Sequence, residues 1–150
     1  MYLYSVILLM GVLPIGSLLI DGRLHPGAGL LLLAGKWFAF WAGGVRLLIA
    51  GLRQMLQPRY TAEVIFGLHD RAPWAVVREL GFANSALGVI GITSLWRPAW
   101  LPAAAVSAAI FYALAGINHA LSPERGRLRT IAMISNLVVC AVLAASFVAR

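Results

Sequence analysis

Apolar runs of about 20 residues alternate with short polar links along the whole chain. A helix rising about 1.5 Å per residue crosses the ~30 Å hydrocarbon core of a bilayer in about 20 residues, so each run reads as a membrane span. The pattern predicts spans over residues 2–20, 30–56, 80–96, 101–121 and 130–149. The fold class is therefore all-α, a polytopic transmembrane helical bundle in which residues 1–150 form one domain of five spans. Four spans is the alternative, should the first run not cross fully.

The first run contains Pro14, which lacks a backbone donor and predicts a kink. With no basic residue before it and no small-residue cleavage pattern after it, the run reads as a retained span and not as a signal peptide. Asp21 to Gly27 is a turn-rich link. The second run is longer than a crossing needs and carries two cations. Lys36 is expected to snorkel to one interface beside Trp37 and Trp41, while Arg46 either reaches the other interface or pairs inside the bundle.

Arg53 to Arg78 is the longest polar stretch. Within it, Thr61 to Gly67 predicts a short interfacial helix capped by Thr61 and stopped by Gly67, and Pro73 suits the first turn of a helix running into Glu79. The stretch from Arg78 to Trp96 reads as the element that organises the chain. Gly81, Asn84, Ser85, Gly88 and Gly91 recur along it at helical spacing, a face on which another helix can pack closely. The fourth run carries Ala105, Ala108, Tyr112, Ala115 and His119 on one stripe, and the fifth carries Asn136 and Cys140 four residues apart.

Composition strengthens the membrane reading. The chain is 61% hydrophobic and 11% charged, with a mean hydropathy of +0.88, outside the range of soluble domains. A net charge of +7 raises the question of nucleic acid. The arginines lie mainly between or at the ends of the apolar runs, where anionic headgroups account for them, so no nucleic-acid partner is expected. Cys140 is the single cysteine, which excludes an intramolecular disulfide. His25 and His69 fall on opposite sides of the membrane, no spacing suggests metal or haem ligation, and Ser85 is not on a nucleophile elbow. No metal, cofactor or catalytic residue is expected.

Loop charges predict the orientation. Arg53, Arg59, Arg71, Arg78, Arg125, Arg127 and Arg129 collect on one side, against Arg23, Lys36, Arg97 and Arg150 on the other. The richer side should be cytoplasmic, with the N-terminus inside and the C-terminus outside. Glu79, Asn84, Asn118, His119 and Asn136 then share the cytoplasmic half of the bilayer, and Arg46 can reach them. Ionisable and amide groups at that depth are costly unless paired, which makes this cluster the candidate ligand-binding or proton-handling site.

From about residue 57 to 136 the chain resembles an uncharacterised family of small bacterial integral membrane proteins. The carrying pieces are Thr61-Ala62-Glu63-Val64-Ile65, then Pro73-Trp74, then Glu79-Leu80-Gly81-Phe82-Ala83-Asn84 with Gly88 and Gly91, and finally Gly116-Ile117-Asn118-His119. Two departures stand out. A tryptophan expected after the Ile-Gly element is missing, and Pro123-Glu124-Arg125-Gly126-Arg127 replaces an Asn/Gly-rich segment. The resemblance implies a helical bundle in a bacterial inner membrane, marks Glu79, Asn84 and His119, and supplies no activity.

The function that fits these residues is a non-enzymatic module. It would bind a small amphipathic ligand such as a lipid or quinone through the polar cluster, or partner helices, including a second copy in a homo-oligomer, through Gly81, Ser85, Gly88 and Gly91. A proton-linked transporter through Glu79, Arg46 and His119 is the alternative. A small membrane enzyme using His119 and Glu79 as acid and base is the third reading.

Overall fold

The computed structural model describes residues 2–65, 67–122 and 126–149, and all its regular structure among these is helical. Five helices are long and apolar enough to cross a membrane: α1 (Leu3–Leu24), α2 (Leu30–Leu56), α3 (Pro73–Thr93), α4 (Pro98–Leu121) and α5 (Arg127–Val148). Helix α3 begins at Pro73, seven residues before the apolar run that predicted it. Proline at the first turn fits the start of a helix, and the amphipathic opening turns lie outside the hydropathy peak. Arg125 and Arg150, both used in the orientation reading, lie outside the described residues, as do Phe66 and the stretch 123–125.

Consecutive helices run antiparallel. Gly44 and Gly51 of α2 meet Gly91 and Ser85 of α3, and Lys36 and Trp41 of α2 meet Asp21 and Ser17 of α1; outside the chain order, Gly35 of α2 also meets Ser146 of α5. Helices α2 and α4 run parallel, with Gly43 against Ala108 and Arg46 against Tyr112. Helix α2 therefore touches all four others. Of its most apolar stretch 50% is buried, against 22–28% in the other four, so the centre of the bundle is α2 and not the stretch Arg78 to Trp96. Its small residues Ala34, Gly35, Ala39, Ala42, Gly43, Gly44 and Gly51 are buried, and let neighbours approach from several directions.

The Gly81, Ser85, Gly88 and Gly91 face of α3 is taken up by α2 within the chain. A Cβ on Gly91 would stand 2.6 Å from the backbone of Gly44, and one on Gly81 would stand 2.8 Å from the carbonyl oxygen of Gly51. These are backbone-to-backbone contacts that only glycine permits. The small-residue face considered for partner helices thus already has its partner.

Three stretches widen into π-helix: Leu8–Val12, Ala39–Arg46 and Thr61–Ile65. Pro14 cannot donate to the turn before it, and the ladder re-registers just ahead of it, over Leu8–Val12. In the second stretch, the Ala42 carbonyl accepts a 2.6 Å hydrogen bond from the fully buried Tyr112 hydroxyl of α4. The third continues a short helical turn, Pro58–Tyr60, and is followed by Gly67, whose φ of +69° is the left-handed conformation that ends helices.

Candidate functional site

The arginine-rich end of the bundle contains a cavity of about 400 Å³. All five helices contribute to its wall, as does the short turn after α2. Its polar lining comes from Ser5 on α1, Arg46, Arg53 and Gln54 on α2, Tyr60 and Thr61 after it, Asn84 on α3, Asn118 and His119 on α4, and Asn136 on α5. Leu9, Leu47, Leu80, Phe111 and Leu114 supply apolar wall, and Ile49 and Leu114 are exposed at its rim. Its site follows from topology. The C-terminal halves of α2 and α4 and the N-terminal halves of α1, α3 and α5 all lie at the same end of an alternating bundle.

Of the residues singled out in the sequence, the structure brings Arg46, Asn84, Asn118, His119 and Asn136 to this one cavity. Glu79 is exposed and does not belong to its lining. Arg46 does pair inside the bundle. Its guanidinium donates to the Tyr112 hydroxyl at 3.3 Å and lies 5.7 Å from the ring centroid, while that hydroxyl donates onward to Ala42. A π-widened turn of α2 and a tyrosine of α4 thus fix where this cation stands.

Two amides complete the wall. Asn84 is 2% exposed and donates from Nδ2 to Gln54 Oε1 at 2.8 Å, yet its own Oδ1 is buried without a partner. Asn136, 4% exposed, likewise keeps a buried, unpartnered Oδ1. A buried polar atom without a hydrogen bond costs about 1–3 kcal/mol. Both residues line the cavity, while these two oxygens are themselves buried in its wall. Which end of an amide carries oxygen is assigned from the network, but turning either one over still leaves a polar atom unmatched.

Gln54, Arg53, Tyr60 and Thr61 were not among the sequence candidates. Arg53 stacks over Tyr60, with its guanidinium carbon 3.6 Å from the ring centroid. The available signal was spacing: Gln54 lies eight residues after Arg46, about two helical turns, and so faces the same way.

A second polar cluster at the far end of the bundle went unread. Asp21, 7% exposed, accepts from Lys36 Nζ at 2.7 Å, from Trp37 Nε1 at 2.9 Å and from His25 Nδ1 at 2.8 Å. One turn away, Trp41 Nε1 donates to Ser17 Oγ at 2.9 Å. Lys36 and Trp37 thus form a part-buried clamp between α1 and α2 around the buried Asp21. Among the described residues no three His, Cys, Asp or Glu side chains come together as a metal site.

Comparison with curated proteins found no match, and comparison with solved structures found none either. A family model does match, over residues 2–124, which includes all of α1 to α4 and every cavity residue except Asn136. The chain belongs to the family of unknown function DUF6790.

Proposed function

We propose that this protein is a non-enzymatic membrane module that binds a small amphipathic molecule, a lipid or a quinone, in the cavity beside Arg46, Asn84 and Asn136. The observation that carries this reading is a single cavity, walled by all five helices, that sets Arg46, Gln54, Asn118 and His119 against apolar Leu80, Phe111 and Leu114. A polar head would lie among the polar lining residues, and a chain would lie against Leu80, Phe111 and Leu114. At about 400 Å³ the cavity lies within the range of small-molecule sites, about 300–1,000 Å³, near its lower end. It suits one head and part of one chain.

The membrane is proposed to be a bacterial cytoplasmic membrane, with the arginine-rich end inside and the cavity at the depth of the inner leaflet. Arg53, Arg59, Arg71, Arg78, Arg127 and Arg129 support that orientation. A proton path or an acid–base pair between Glu79 and His119 gains no such support, because Glu79 stands outside the cavity lining.

The test is native mass spectrometry of the protein extracted in mild detergent. The proposal expects a bound small molecule that survives purification and is lost from the Asn136→Leu variant. Wild-type protein that flies at its bare polypeptide mass, even after reconstitution with total lipid extract, would overturn it.

A further inference from the structure

At about 400 Å³ the cavity holds a head and part of a chain, so the rest of the chain must leave it, and the packing of α3 and α4 shows where. Each of these helices is anchored away from the other. Gly81, Gly88 and Gly91 seat α3 on α2, while Ala108 and Gly116 seat α4 against Gly43 of α2 and Leu137 of α5. Between themselves, α3 and α4 touch far less than α3 touches α2 or α4 touches α5. The turn Ser94–Arg97 joins them at the far end, where the N–H groups of Ser94 and Arg97 donate to the carbonyls of Ile90 and Thr93 at 3.0 and 2.9 Å. At the arginine-rich end the chain leads away from both, from the start of α3 back to α2 and from the end of α4 on to α5. Their seam is fastened at one end, and the cavity lies at the other.

Leu80 of α3 and Leu114 of α4 both line the cavity. Leu80 is half-buried and Leu114 is 63% exposed, so Leu114 belongs to the wall and to the outer surface at once. Leu80 is seven residues from Pro73 and Leu114 seven from Leu121, which places both about 10 Å from the helix ends. Helices of 21 and 24 residues are about 32 and 36 Å long, little more than the ~30 Å hydrocarbon core, so an exposed leucine at that level faces lipid chains. Nearer water the lining is polar, with Arg53 stacked on Tyr60 at 3.6 Å. Resting on the ligand-binding reading above, we infer that the seam between α3 and α4 is a lateral entrance, through which a long-chain amphiphile of the surrounding leaflet puts its head into the cavity while its tail stays in the bilayer across Leu80 and Leu114. Entry by this route exposes no methylene to water, whereas passage of the whole molecule through the polar end would expose the full tail. The partner is thus a component of the membrane itself and not a solute.

The test uses the full chain carrying Cys140→Ala and Ala115→Cys, in vesicles of phosphatidylethanolamine and phosphatidylglycerol. Ala115 is half-buried and lines the cavity. The probe is N-hexadecylmaleimide, a polar reactive head on a long tail, and the rate of thiol alkylation is read by mass spectrometry. The introduced thiol should react with this probe. Adding Leu80→Trp or Leu114→Trp sets an indole across the seam and should slow the reaction about tenfold or more, because that bulk must be displaced at entry. Leu114→Ala should speed it, and Ile49→Trp, at the other exposed point of the rim, should leave it unchanged. Leu114 is exposed, so an indole there fits outside the core; should Leu80→Trp fail to fold, the two Leu114 variants decide. Unchanged rates in the seam variants, equal slowing by Ile49→Trp, or alkylation only by a sulfonated maleimide confined to water would each overturn the entrance. If the seam is refuted while wild-type protein still retains a small molecule in native mass spectrometry, only the route falls. A bare polypeptide mass in that spectrum overturns the ligand-binding reading itself, however the thiol reacts.

Discussion

Replacing Gly88 with alanine tests the packing that shapes the cavity wall. The new Cβ would stand 2.5 Å from the Leu48 backbone nitrogen and 2.7 Å from the Leu48 Cα, about 0.9 Å short of the 3.4 Å at which ordinary contact begins. The obstacle is backbone, so no side chain can rotate away, and α2 and α3 must separate. A gap of 0.5–1 Å forfeits about a quarter to a half of each contact of about 0.1–0.2 kcal/mol. Over on the order of 40 atom pairs, the number a buried leucine makes, the loss is about 2 kcal/mol. Alanine returns up to about 1 kcal/mol of helix propensity. A matched control is Gly16→Ala in α1, where a Cβ would meet nothing within 4 Å and only the propensity gain applies. The two variants should therefore differ in unfolding free energy by about 2 kcal/mol, read from sodium dodecyl sulfate titration of the protein in dodecyl maltoside. Gly88 is one helical turn beyond Asn84, so the same variant should also loosen the Asn84–Gln54 bond and weaken ligand binding. Equal stability of the two alanine variants would refute the glycine-mediated contact between α2 and α3.

Asn136→Leu removes a buried unpartnered amide, so it should stabilise the ligand-free protein by about 1–3 kcal/mol while reducing ligand retention; a stabilised variant that keeps its ligand would contradict the role of this side chain. Tyr112→Phe leaves the Ala42 carbonyl and Arg46 without the hydroxyl between them and should cost about 1–3 kcal/mol in the same titration. Asp21→Ala strands Lys36 and Trp37 and should be strongly destabilising, while the double variant with Lys36→Met should recover much of the loss; no recovery would mean that the ion pair is not what joins α1 to α2 there. For topology, single cysteines introduced at His25 and His69 into a Cys140→Ala background should react with impermeant thiol reagents from opposite faces of the membrane.

The bundle was legible because span length is set by the bilayer and is independent of which helix touches which. The shared depth of Arg46, Asn84, Asn118, His119 and Asn136 was legible for the same reason, since alternating helices carry residues to predictable ends. Lateral arrangement was not. Glu79 is at that end but on the outer face of α3, and only the packing of Gly81 and Gly88 onto α2 decides which face turns inward. The central place of α2 was obscured by its charges. Lys36 suggested a helix reaching for the interface and Arg46 left that open against pairing inside, whereas Asp21 holds the part-exposed Lys36 and Tyr112 holds Arg46 within the bundle. Asp21 itself was hidden by Gly22, Pro26 and Gly27, which signal a solvated turn, although its hydrogen bonds reach across to the start of the next helix. The π-helical stretch over Ala39–Arg46 has no sequence mark beyond Gly43-Gly44, and it is formed where α3 and α4 press on α2 from two sides.

The central claim is that the cavity at the arginine-rich end is an occupied site. The most direct measurement is an experimental structure of the protein in a native lipid mixture, resolved finely enough to separate ordered water from a chain. The account predicts continuous elongated density in the cavity. One end should lie within hydrogen-bonding distance of Asn84 or Asn136 and beside Arg46, and the other should run along Leu80 and Leu114 toward the bilayer. A cavity holding only water, or closed by repacking of Phe111 and Leu9, would contradict it.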